Sequence, residues 1–86
     1  EVAQARWREA VKFEERSIAA YGPENLSLWK PLAGLAQARR ALDPKADVKP
    51  LLDRALAIAI KAQLTAEELD PIRDQLARLT DAAPGG

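Results

Sequence analysis

The sequence contains no cysteine and no histidine, and only four of its 86 residues are aromatic Trp, Tyr or Phe. Without cysteine there is no disulfide and no thiolate chemistry, and without histidine there is no imidazole base. A zinc site built from the usual ligands is excluded for the same reason. No apolar run is long enough to cross a bilayer, and no segment resembles a signal peptide. These absences predict a chain that is not an enzyme and that needs no cofactor.

The charges are balanced, with thirteen basic and thirteen acidic side chains. A protein dedicated to nucleic acid or to anionic membranes would carry an excess of Lys and Arg. The carboxylate pairs Glu14-Glu15 and Glu67-Glu68 point in different directions when they lie on helices, so we interpret them as solvated surface rather than as an acid–base pair. We therefore expect no nucleic-acid partner, no membrane partner and no metal.

Apolar residues recur three and four positions apart and predict an all-α fold of about four antiparallel helices. The first helix is expected over 2–21, where Gly22-Pro23 ends it. The second and third, over 27–42 and 47–62, form a hairpin around Pro44. Asn25 or Ser27 is a candidate cap for the second helix, and Asp47 for the third.

Two start signals compete for the fourth helix. Thr65 to Glu68 has the pattern of a capping box, whereas Asp70-Pro71 reads as an N-cap followed by proline at the first helical position. We expect a turn at 65–69 and a helix over 71–80 that caps the domain, with one face charged. The domain then covers 1–81, and 82–86 is predicted to be a disordered tail.

The central hairpin, from Leu32 to Ile58, resembles a tetratricopeptide repeat of the longer kind found in kinesin light chains. The matching residues are Leu32, Leu35 and Ala36 in its first helix and Val48, Leu52 and Ala55 in its second. Arg39 stands where the family has an aromatic residue, and Asp43 where Gly or Asn usually turns the chain, so the repeat is divergent. An offset of 38 residues sets Ala10 on Val48 and makes 1–21 the second helix of a preceding repeat. The resemblance implies a TPR-like superhelix fragment with a C-terminal capping helix.

What the resemblance implies about function is protein–protein recognition, because the first helix of each repeat in this family lines a concave groove. The groove positions would be Lys30, Ala33, Gln37 and Arg40, with Trp29 as an exposed anchor. Lys30 and Arg40 would bind a carboxylate of a peptide or partner helix, and Gln37 its backbone. The alternative is that these residues are ordinary solvated surface. Similar repeats follow kinase domains in some bacteria, so we expect a cytoplasmic scaffold or adaptor within a larger signalling protein.

A second hypothesis from a different class is a self-associating helical bundle, in which an exposed apolar face of residues 1–21 forms a homo-oligomer. One hairpin buries little surface, and stacked repeats need about three units. The chain also starts at Glu1 without methionine, and we therefore expect a piece of a longer array. Exchanging Lys30 and Arg40 for Glu separates the hypotheses, because it would abolish peptide binding and leave the oligomeric state unchanged.

Overall fold

The computed structural model describes residues 2–82, and over that range the chain forms four α-helices and no strand. The helices are α1 (Val2–Tyr21), α2 (Trp29–Leu42), α3 (Lys49–Lys61) and α4 (Ala66–Ala82). Each helix packs against the next one along the chain. The prediction of an all-α fold with about four helices is confirmed. No helix within 2–82 combines the length and apolar character needed to span a membrane.

The core lies where α2, α3 and α4 meet, and it combines a few large aliphatic side chains with alanines. The largest fully buried side chains are those of Leu28, Leu32, Leu52, Ile72 and Val48. Burying each of these side chains stabilises the fold by roughly 1.5–3 kcal/mol. Alanines at the crossings allow the helices to approach closely, and the buried ones in this cluster are Ala36, Ala55 and Ala59. Large aliphatic side chains and closely packed alanines therefore form the core of a chain that has few aromatic residues.

Helix α1 packs along α2, and this contact includes one close approach and one ion pair. The carboxyl group of Glu14 lies over Gly34, where a Cβ atom would collide with it. One residue further on, Glu15 accepts a hydrogen bond from Arg39 at 3.0 Å, with both side chains about half exposed. Arg39 therefore forms an ion pair with the preceding helix.

The ends of α1 and α3 both use a left-handed residue. Gly22 follows α1 with φ of 83°, and Gln63 follows α3 with φ of 63°. After α3 the N–H of Leu64 donates to the carbonyl of Ala59 at 3.1 Å, and the N–H of Gln63 donates to Ile60 at 3.0 Å. These two bonds make a Schellman motif, which satisfies carbonyls that the helix end leaves free.

The starts of α2 and α3 lie two residues later than the sequence predicts, at Trp29 and Lys49. Val48 occupies the N-cap of α3, while the carboxylate of Asp47 accepts the N–H of Lys49 at 3.3 Å from one position further out. The N-cap of α2 is Leu28, which makes no side-chain cap bond. The side chain of Asn25 instead accepts the N–H of Ser27 at 2.8 Å within the preceding turn.

The predicted start of α4 at Pro71 is wrong, because the helix begins at Ala66. The N–H of Thr65 donates to the Glu68 carboxylate at 3.0 Å, and the N–H of Glu68 donates to the Thr65 hydroxyl at 3.2 Å. This capping box, together with the burial of Leu69, is worth roughly 2.5–4 kcal/mol. A proline inside a helix costs about 3 kcal/mol. The capping box and the burial of Leu69 offset this cost, so the helix can include Pro71.

The C-terminal end of α4 lies at Ala82, a residue placed in the predicted tail. Residues 83–86 lie outside the described residues.

Candidate functional site

A groove of about 340 Å³ opens between α2 and α4, with α3 beneath it. Its residues come from the second half of α2, the start of α3 and the middle and second half of α4. They are Gln37, Arg40, Val48, Leu52, Pro71, Asp74, Gln75, Arg78 and Leu79.

The groove has an apolar floor and amide groups on both walls. Val48 and Leu52 form the floor and are almost fully buried, and the half-buried Leu79 adjoins them. Gln37 stands on the α2 wall and Gln75 on the α4 wall. A primary amide both donates and accepts hydrogen bonds, as a peptide unit does. The arrangement suits a ligand with an apolar side chain and an exposed backbone.

One positive charge in the groove is not balanced within it. Arg78 forms an ion pair with Asp74, with 2.9 Å between the guanidinium nitrogen and the carboxylate oxygen, which neutralises that part of the α4 wall. Arg40 is half-buried, and none of the ion pairs and side-chain hydrogen bonds found among residues 2–82 involves it. A half-buried guanidinium without a carboxylate is a ready partner for an anionic group of a ligand.

The other predicted site residues lie outside the groove. Lys30 is exposed at the beginning of α2, with Nζ 5.6 Å from the centre of the Trp29 ring. Hydrogen bonds from Thr65 lower the pKa of the Glu68 carboxyl, and the charge of Lys30 adds to this effect. Trp29 and Ala33 are half-buried and pack against the core. Of the five predicted residues the structure thus brings Gln37 and Arg40 together in the groove.

Sequence reasoning missed the α4 wall, although the sequence contains a signal for it. The offset of 38 residues that sets Ala10 on Val48 also sets Gln37 on Gln75 and Arg40 on Arg78. Each wall therefore carries a glutamine followed by an arginine three positions later, and all four side chains line the groove. The expectation that α4 is a solvent-facing cap leaves no place for such a wall.

Comparison with models of known protein families, with curated proteins and with solved structures gives no match for this chain. Within the described residues no group of acidic side chains is placed to hold a metal ion. The groove between α2 and α4 is thus the candidate site, and its chemistry is the basis for a function.

Proposed function

We propose that the chain is a non-catalytic protein–protein interaction module that holds an extended peptide segment in the groove between α2 and α4. The observation that carries the proposal is the repeated pair of Gln and Arg, which stands on both walls above an apolar floor. In this proposal α2, α3 and α4 form a fragment of a TPR-like superhelix, and α4 is its capping helix. The module serves as a scaffold or adaptor within a larger regulatory protein.

The groove chemistry defines the kind of peptide. Gln37 and Gln75 hydrogen-bond the peptide backbone from opposite sides, which suits an extended strand whose own N–H and C=O groups are unpaired. The half-buried Leu79, which adjoins the buried Val48 and Leu52, offers the surface that accepts an apolar side chain. Arg40 binds a carboxylate, either of an acidic side chain or of a chain end. The preferred ligand is therefore a peptide with one acidic group near an apolar residue.

The test is selection from a phage-displayed library of random peptides, followed by calorimetry of the selected peptides on variants of the chain. Arg40→Glu is expected to weaken binding at least tenfold, since a hydrogen bond to a charged group contributes about 1.5–3 kcal/mol. Gln75→Ala is expected to weaken it less. The matched control is Arg54→Glu, which makes the same charge change on an exposed residue of α3 that does not line the groove.

The selected peptides should share an acidic residue near an apolar one, and raised salt should weaken their binding. The proposal fails if the library yields no binder, or if Arg40→Glu and Arg54→Glu have equal effects on the affinity.

A further inference from the structure

Phe13 is the most exposed large hydrophobic side chain of the described residues, with 65% of its surface accessible. It lies in the middle of α1, on a face that the groove does not use. The other large apolar side chains of this stretch of α1, those of Trp7, Val11 and Ile18, lie on a different face and are half-buried. Helix α1 thus carries, apart from its half-buried apolar residues, one large apolar side chain that no other part of residues 2–82 covers.

The internal correspondence between α1 and α3 indicates that a helix belongs on this face. The offset of 38 residues sets Phe13 on Leu51. Leu51 is half-buried and packs against the core that α2, α3 and α4 form. At the equivalent place on α1, nothing in the described part of the chain covers the ring.

The charges on either side of Phe13 are complementary to each other. Glu9 lies one turn before Phe13 and Arg16 one turn after it, on the same side of the helix, and both are exposed. Glu9 reaches Lys12 only at 3.9 Å, between side chains that are largely exposed. Arg16 takes part in no ion pair found among residues 2–82. When two copies of such a helix pack antiparallel with their apolar centres in contact, the acidic residue of each copy faces the basic residue of the other.

We infer that α1 is a homodimerisation surface, on which α1 of a second copy packs antiparallel about a twofold axis at Phe13. The two phenyl rings meet at the axis, and Glu9 of each chain faces Arg16 of the other in two symmetric ion pairs. Such a contact is isologous and closes at two chains. Glu9 and Arg16 differ by one residue in their distance from Phe13, about 1.5 Å along the axis, which the arginine side chain spans.

The size of the surface sets the strength of the dimer. One exposed ring and two solvent-exposed ion pairs form a small contact, below the area of most stable interfaces. The dimer is therefore expected to dissociate on dilution, with a dissociation constant in the micromolar range or weaker. This surface is independent of the groove, so the loss of either leaves the other intact.

Sedimentation equilibrium of the whole chain over a wide concentration range tests the dimer. Phe13→Ala is expected to raise the dissociation constant about tenfold. The same substitution should leave the helical circular dichroism unchanged, because the ring is 65% exposed and alanine favours a helix. A chain that stays monomeric up to millimolar concentration overturns the inference and leaves this face to a different helix. So does a dimer that Phe13→Ala does not weaken.

Charge exchange tests the antiparallel arrangement. Glu9→Arg and Arg16→Glu should each weaken the dimer, since each sets like charges against one another across the axis. The double variant with both changes should restore it, and an equimolar mixture of the two single variants should form a heterodimer. Arg8→Glu is the control, because Arg8 is exposed on α1 but does not lie on the side of Phe13. Weakening by both single variants without restoration in the double variant overturns the arrangement.

Discussion

Three basic side chains of α2 lie in three different electrostatic surroundings. Arg39 pairs with Glu15 across the contact with α1, and Lys30 lies near enough to Glu68 to affect its pKa. Arg40, next to Arg39 in the chain, points into the groove and has no carboxylate partner among residues 2–82. Arg40 is thus the basic side chain of α2 that lines the groove and has no carboxylate partner among the described residues.

Glu14 is the carboxylate whose position costs the fold free energy. Burial against α2 raises the pKa of Glu14 above its ordinary value of 4.5. A raised folded-state pKa means that the charged form is disfavoured in the folded state. The cost is fully present above the folded pKa, declines as the pH falls through it, and is gone below the ordinary value.

We predict that Glu14→Gln stabilises the chain at neutral pH and has no effect at a pH below the ordinary carboxyl pKa of 4.5. Urea denaturation of both chains at several pH values measures the difference. Glu15→Gln is the control, because it removes an exposed carboxylate that pairs with Arg39. A stabilisation by Glu14→Gln that persists unchanged into acid would mean that desolvation of the charge is not its cause.

At the level of the elements, α3 is followed by a residue in a left-handed backbone conformation that suits glycine better than glutamine. Gln63 has φ of 63°, where a side chain with a Cβ atom is strained and glycine is not. We predict that Gln63→Gly raises the free energy of unfolding by about 0.5–1 kcal/mol. Thermal and urea denaturation measure this gain. Gln63→Ala keeps the Cβ atom and should give no gain, so equal gains from both substitutions would contradict the strain argument.

The start of α4 depends on the reciprocal bonds of Thr65 and Glu68. Thr65→Ala is expected to lower the free energy of unfolding by about 1 kcal/mol, the usual value of a lost N-cap. The pKa of Glu68 is lowered chiefly by the backbone N–H of Thr65, then by its hydroxyl group. Its contribution to stability is therefore present above the ordinary carboxyl pKa of 4.5 and lost as the pH falls through the lowered value.

We accordingly predict that Glu68→Ala destabilises the chain at neutral pH and that the loss diminishes in acid. Denaturation curves at several pH values, with Glu67→Ala as the adjacent exposed control, measure it. If Glu68→Ala costs as much in strong acid as at neutral pH, the charge of the carboxylate does not contribute to the cap.

The existence and order of the helices follow from the sequence because the apolar period and the breakers Gly22-Pro23 and Pro44 agree with each other. The start of α4 is predicted wrongly from the sequence, because the choice between Thr65 and Pro71 depends on whether Leu69 is buried in the core. The groove was predicted on α2 alone, and only Gln37 and Arg40 of that set line it. The opposite wall depends on the tertiary arrangement of α2 and α4, which local patterns do not encode.

On the scale of the whole molecule, the helices form a linear stack in which α2 and α3 have a neighbour on both sides while α1 and α4 pack chiefly against one. We predict that amide hydrogens of α2 and α3 exchange most slowly, and that those of α1 and α4 exchange faster by local opening. Hydrogen exchange at low protein concentration, where α1 is unpaired, measures this order. Equal protection of all four helices would mean that the stack opens only as a single unit.

Both walls of the groove pack on α3, so α3 sets the distance between them. A larger aliphatic residue in place of Val48 or Leu52 would widen the groove, and a smaller one would narrow it. Every side chain of the two walls would stay the same. Selection of ligand size and recognition of ligand polarity are therefore assigned to separate sets of residues, and each set can change while the other stays fixed.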